Sequence, residues 1–437
     1  MFLFKFLGNI KYNIFSSIKI FLDTFNFLLI INIFGASSKS DIYFFSISIL
    51  QSLQLVQLMF VEQFMYFYND LKIYSKEKAY NFLSVSLLYS LLIGFLFFFI
   101  FTASSNLVIL LFVKHMSLSS KIILKDVLQI LFFSLIFFPN NYIIRLLLNA
   151  ELKLFYYYII LIIPSFFTFL TLIFEKFFNF PNLKFLACAR TISSVIIFFI
   201  GLWIISTNFS LYFKPKKDVI LILKKFIKNS FFMRLGHNLH NLLSTIITNS
   251  ILSFFPPGYA SYFFYSDKIL QMIITVSVEP YYLTLRAKLS LEYSRDKINN
   301  MVTHIKKFYK NSFLIFFVLF IITFVTLPFI FKFFGKNLKI NLLSQMLALM
   351  FLWSFIKFIE SPFVLICIIS KHSRIIIFCN LVFISIYYLI SSELIKYMKV
   401  YAVPVSLILA QLFNFSLYFN FARKLLSRRK YSELSQS

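Results

Sequence analysis

Residues 81–102 read Asn-Phe-Leu-Ser-Val-Ser-Leu-Leu-Tyr-Ser-Leu-Leu-Ile-Gly-Phe-Leu-Phe-Phe-Phe-Ile-Phe-Thr, with no charged side chain among them. A helix rises about 1.5 Å per residue and the hydrocarbon layer of a bilayer is about 30 Å thick, so about 20 apolar residues cross it. This stretch is long enough to span a membrane by itself, and similar runs follow one another along the chain. Of the 437 residues, 60% are hydrophobic and 14% charged, and the mean hydropathy is +0.84. That leaves too little polar surface to wrap a water-soluble body of 51.8 kDa, so lipid is the solvent this composition requires. In lipid every backbone polar group has to be satisfied within the segment, which makes the runs helices.

Apolar runs separated by charged or proline-containing gaps predict an all-α polytopic membrane protein with about twelve transmembrane helices. The expected starts lie near Ile10, Ile42, Asn81, Asp126, Glu151 and Leu183, then near Phe226, Tyr259, Tyr309, Asn341, Arg374 and Tyr401. The longest gap on the lysine-rich side follows the sixth span and contains Lys214-Pro215-Lys216-Lys217. It divides the chain into an N-terminal six-helix lobe (1–206), a basic linker (207–225), a C-terminal six-helix lobe (226–423) and a basic tail (424–437). Six spans on each side, both sets starting on the same face, predict two lobes related by a parallel pseudo-two-fold. A weak echo agrees: Phe34-Gly35-Ala36-Ser37 opens the second span, and Pro257-Gly258-Tyr259-Ala260-Ser261 opens the eighth.

The formal net charge of +27 invites a nucleic-acid reading, because counterion release draws basic surfaces to phosphate backbones. Its distribution argues against one. The cations gather in the gaps and at the C-terminus (Arg423, Lys424, Arg428, Arg429, Lys430), where the positive-inside rule and anionic headgroups account for them. Counting them gap by gap places both termini in the cytoplasm. Cys188, Cys367 and Cys379 are odd in number and lie inside apolar runs, which suits neither a disulfide framework nor a zinc pattern. No nucleotide-binding Gly-rich loop ending in Lys-Ser/Thr occurs, no metal or cofactor is implied, and the first apolar run lacks a small-residue cleavage site, so it reads as a retained span. The 64 phenylalanines read as lipid-facing or packing material.

A charge at the bilayer centre costs about 2.5–3.5 kcal/mol on insertion scales, so each charge inside a span needs a partner or a watery cavity. The seventh span carries Arg234, His237, Asn238, Asn241, Thr245 and Thr248 three or four apart, on one face of a helix. Arg234 and Lys268, on the seventh and eighth spans, each fall about 12–14 Å deep, near the midplane. Two cations at that depth suit an anionic ligand; the alternative is that Arg234 pairs with Asp267 and joins two helices. In the first half, Lys19 and Asp23 sit in the first span, and Gln51, Gln54 and Gln57 fit interhelical hydrogen bonding as well as a sugar-binding face. Glu279-Pro280 and Glu360-Ser361-Pro362 place a carboxylate where proline breaks a helix, which makes both glutamates ion-coupling candidates.

At these residues the chain resembles the multidrug/oligosaccharidyl-lipid/polysaccharide (MOP) exporter superfamily, and in particular its lipid II flippase (MurJ-like) branch. Ile33-Phe34-Gly35-Ala36-Ser37 with Asp41 before aromatics, Leu147-Leu148-Asn149-Ala150, and above all Gly258-Tyr259-Ala260-Ser261-Tyr262-Phe263-Phe264-Tyr265-Ser266-Asp267-Lys268-Ile269 carry the likeness. The resemblance implies two lobes around a cationic cavity that opens alternately to either side, with Lys268 beside Asp267 in the place of the cavity arginine and Asp41 as the acidic residue opening the second span. It departs where lipid II flippases carry arginines in the first two spans: here stand Asn26 and Gln54 or their neighbours, and an extra C-terminal pair of spans is missing. The expectation is a monomeric, non-enzymatic flippase of the bacterial inner membrane that moves an undecaprenyl-pyrophosphate-linked oligosaccharide for surface polysaccharide synthesis, in contact with membrane lipids and glycan assembly enzymes. Arg234, His237, Asn238, Asn241, Asp267, Lys268, Gln54 and Asp41 would contact the substrate, and Glu279 or Glu360 the coupling ion. A lipid II flippase is the nearest alternative, and a membrane-embedded glycan polymerase or ligase is the alternative from another class.

Overall fold

The computed structural model describes residues 2–209, 217–294, 298–334, 338–370 and 373–434. Within them the side chains of 2–17, 217, 229, 232–234, 236, 237, 283, 287, 290, 291, 294, 331–334, 373 and 428–434 are not described. The described chain is helical throughout: α1 (Phe2–Phe34), α2 (Ser38–Leu58), α3 (Phe64–Tyr74), α4 (Lys76–Ala103), α5 (Ser105–Phe112), α6 (Leu118–Phe132), α7 (Ser134–Ala150), α8 (Leu154–Phe177), α9 (Leu183–Asn208), α10 (Lys217–Leu252), α11 (Tyr259–Ser277), α12 (Glu279–Ser294), α13 (Ile298–Phe334), α14 (Ile340–Ile369), α15 (Ser373–Met398) and α16 (Ala402–Leu434). A long helix, or the bent pair α6–α7, stands at each of the twelve expected starts. By length and hydropathy alone, six described stretches qualify as spans, or seven counting the 42° bent pair. Helices α2 and α11 are not among them, because the glutamine ladder and the Asp267–Lys268 pair lower their hydropathy.

The helix starts follow from local chemistry. A side-chain oxygen accepts from a backbone N–H in the first turn of α4 (Ser75 from Lys78, 3.3 Å), α6 (Ser117 from Ser120, 3.4 Å) and α9 (Asn182 from Lys184, 3.0 Å), satisfying donors the helix leaves open. Prolines lie inside α7 (Pro139), α8 (Pro164), α13 (Pro328) and α14 (Pro362), as membrane helices tolerate.

The chain packs as two units. The first holds Met1–Phe34 and Ser38–Thr245, the second Gly35–Ser37 and Ile246–Ser437. The division thus falls inside α10, while the expected linker (207–225) belongs to the first unit, runs partly outside the described residues, and ends in a helix that starts at Lys217. Within the first unit α9 packs on α7 and α8, and α2 on α6 and α7; within the second, α16 packs on α14 and α15, and α11 on α14. These pairs hold corresponding places in the order of helices.

Phenylalanine fills both units. In the first, Phe64 stacks on Phe82 with ring centroids 5.7 Å apart and Phe82 meets Phe226 edge-on at 5.5 Å; in the second, Phe316 stacks on Phe351 at 5.2 Å. Others, such as Phe21, Phe99, Phe199 and Phe329, are exposed, on surface that lipid covers.

The turn after α7 closes on a polar knot outside the spans. Glu151 accepts from the Tyr68 hydroxyl (2.6 Å) and from Lys72 Nζ (2.7 Å). Partial burial pushes its carboxyl up, but the hydrogen bonds from Lys72 and Tyr68 and the charges of Lys72 and Lys153 outweigh it, and Glu151 titrates below the usual value of 4.5. A carboxylate lowered in the folded state adds stability that is complete above its unfolded pKa and lost as the pH falls through the folded value. Wild-type protein is therefore expected to lose thermal stability on acidification below about pH 4.5 more steeply than Glu151→Gln, as read from melting midpoints across that range.

Candidate functional site: buried charge networks

In the second unit, α11, α14 and α16 bring together charges that are far apart in sequence. Asp267, half-buried on α11, accepts a hydrogen bond from Gln271 one turn on and lies in the field of Lys357 on α14 and of its neighbour Lys268. Lys357 faces a second carboxylate as well, Glu360, one turn further along α14. Its ammonium sits 4.5 Å over the Trp353 ring. The indole N–H donates to Gln411 Oε1 on α16 (3.2 Å), the Gln411 amide donates to Glu360, and Asn414 Nδ2 donates to Glu360 Oε1 (2.9 Å). Glu360 is 4% exposed. Lys357 is exposed along its stem while protein atoms crowd its charged end.

The first unit carries a second network. Lys19 and Asp23 pair along α1 at 2.7 Å, Ser165 on α8 donates to Asp23 Oδ1 at 2.6 Å, and Asn26 donates to the Ser165 carbonyl at 2.8 Å. Arg190 on α9 acts on Asp23 and on Tyr43 of α2. Glu175, near the end of α8 and 1% exposed, has no hydrogen-bond partner within bonding geometry at either carboxylate oxygen; Lys39 and the Asn182 backbone are the groups that favour its charge.

The residues singled out in the sequence fall into three groups. Asp267, Lys268 and Glu360 belong to the second unit's network, with Lys268 exposed beside Asp267. Asn238 and Gln57 serve packing: Asn238, 2% exposed, donates to the Leu55 carbonyl (2.7 Å), and Gln57 donates to the Leu135 carbonyl (3.0 Å). Gln54 is half-buried on α2, and Asp41 is buried in its first turn. Asn241 is half-buried on α10, where its carbonyl accepts from Thr245 (2.7 Å). Glu279 is exposed at the break between α11 and α12. The side chains of Arg234 and His237 lie outside the described residues, so the alternative pairing of Arg234 with Asp267 does as well.

Lys357 and Arg190 are the residues that reading the sequence misses. Both are charges within apolar runs, the criterion that marks Lys268. Arg190 hides because Lys184 opens its span and makes it read as flank, and Lys357 because Glu360 three residues on makes it read as a self-neutralised pair.

No family model matches the sequence, and no curated protein matches it. Solved structures do match. A lipid II flippase, MurJ, in an inward closed conformation superposes with a TM-score of 0.76 at 17% identity, over 97% of this chain and 91% of that one. The fold is that of MOP-superfamily transporters. An inward-facing multidrug resistance MATE family transporter of that superfamily gives 0.74 at 13% identity, over 96% of this chain and 99% of the other. A MOP superfamily transporter from Pyrococcus furiosus, described as having a binding pocket of reverse polarity, gives 0.62 at 14%, over 96% and 95%. The all-α polytopic membrane fold read from the sequence is thus the observed one, and the match extends over 97% of the chain.

Proposed function

We propose that this protein is a flippase that carries an undecaprenyl-pyrophosphate-linked oligosaccharide across the bacterial inner membrane, with both termini cytoplasmic, for cell-surface polysaccharide synthesis. The observation that carries the reading is a charged cluster inside apolar helices, in which Lys268 and Lys357 meet Asp267 and Glu360. Asp267 has Lys357 in its field and a hydrogen bond from Gln271 as well as Lys268 beside it, so cations from two helices border this cluster, as recognition of an anionic group inside a membrane requires. Drug export fits less well, because cationic drugs call for an acidic or aromatic cavity. The MOP fold, matched over 97% of the chain, supports transport over glycan polymerisation or ligation.

Lipid II is the second reading, favoured by the fold match to a lipid II flippase. Against it stands Asn26, where the resemblance calls for an arginine: it is 6% exposed and spends its amide on the Ser165 carbonyl. Paired complementation tests the two, with the protein expressed in one strain depleted of its lipid II flippase and in another lacking its O-antigen flippase. Surface glycan restored only in the second strain is the expected result. Rescued growth in the first replaces it with the lipid II reading, and failure in both with insertion verified counts against the flippase reading.

A further inference from the structure

We propose that Lys357 on α14 is an anion-binding residue, that it takes a diphosphate group by exchanging it for Asp267 and Glu360, and that anion binding at this site is therefore linked to proton uptake. The proposal rests on the flippase reading for the identity of its ligand.

The geometry is that of a cation held ready and not of a fixed bridge. Lys357 lies in the field of two carboxylates on different helices, Asp267 and Glu360, and has an aromatic platform in Trp353 at 4.5 Å. A ring face holds an ammonium without using its N–H donors, which stay free for oxygen ligands. Glu360, by contrast, has amide donors of its own: Gln411 and Asn414 hold it from α16. It stays hydrogen-bonded when the lysine is drawn to another anion, although it then lacks a cation.

That missing cation sets the linkage. A buried carboxylate without a compensating charge is costly and is relieved by taking a proton. The groups facing Glu360 are Lys357 from its own helix, Gln411, Asn414 and Tyr418 from α16 and Cys379 from α15; those facing Asp267 are Lys268, Gln271 and Lys357. Among the described residues no further cation stands ready to replace Lys357. Asn414 Oδ1 is a buried acceptor without a partner, the kind of atom that an O–H on Glu360 requires. Because coupling is reciprocal, protonation of the carboxylates in turn strengthens anion binding.

The test is calorimetric titration of the purified full-length protein with inorganic pyrophosphate, in two buffers of different ionisation enthalpy, in nanodiscs of phosphatidylcholine. Wild type is expected to bind with net proton uptake. Lys357→Gln should weaken binding at least tenfold, Lys357→Arg should restore it, and Glu360→Gln should bind as tightly as wild type or more so while taking up fewer protons. Unchanged affinity in a monodisperse Lys357→Gln protein, absence of binding to wild type, or binding without proton uptake would each overturn the proposal. Repeating the titration with phosphatidylglycerol in the nanodisc decides the source of the diphosphate-like ligand: abolished pyrophosphate binding would assign Lys357 to lipid headgroups and overturn the substrate role. Complementation failing while this titration succeeds would sink the flippase reading alone.

Discussion

Gly94→Ala is expected to prevent stable folding of the first unit. A Cβ built on Gly94 would lie 2.1 Å from the Ile136 carbonyl oxygen and 2.7 Å from its carbon, in a crossing where α4 meets α7 backbone to backbone. Small residues permit such approaches in membranes, where close packing takes over from the hydrophobic effect as the force between helices. The clash is with main chain, which no rotamer change relieves, so α4 and α7 would have to move apart along their contact. Overpacking of a tight core costs about 1–3 kcal/mol and occasionally more; this position belongs at or above the upper end. Gly201→Ala is the control. Its Cβ would meet the Ile144 side chain, at 2.6 Å from Cδ1 and 2.9 Å from Cγ2, and side chains yield more readily than main chain, so its cost should be smaller. Detergent-solubilised yield and melting midpoint compare the two; equal behaviour would show that the α4–α7 crossing is looser than described.

The helices were legible because lipid permits few alternatives: an apolar run of the right length has to satisfy its own backbone, and the twelve expected starts each meet a helix or a bent pair. The breaks were less legible. The stop of α2 at Leu58 and the restart at Phe64 carry no proline or glycine signal, since Met59–Gln63 turns through backbone bonds such as Phe60 N to Gln57 O. Partner choice was least legible. The three-and-four spacing of Asn238 and Asn241 identifies a shared face, but spacing is blind to the carbonyl of Leu55 that takes the Asn238 amide. For the same reason Gln57 belongs to α7 while its neighbours Gln51 and Gln54 keep more of their surface. Lys357 shows the converse: a residue that looks locally paired gains its meaning from Asp267, ninety residues earlier.

Removing the charge of Lys268 is expected to lower export at least a hundredfold without preventing insertion. The lysine is exposed on α11, and in Lys268→Gln the neighbouring Asp267 keeps Lys357 in its field and the Gln271 hydrogen bond. Stability should therefore stay within about 1 kcal/mol, as for a surface charge. Function should not, because a diphosphate drawn toward the middle of a membrane needs compensating charge more than it needs shape. Two further variants separate charge from geometry. Lys268→Arg keeps the cation and is expected to retain most activity, and the Arg234→Gln/Lys268→Gln double variant is expected to abolish it. Surface glycan in the O-antigen-flippase-deficient strain, normalised to membrane-inserted protein, reads all three. Wild-type export by a correctly inserted double variant would remove both cations from the substrate path and with them the reason to assign an anionic ligand to this part of the chain.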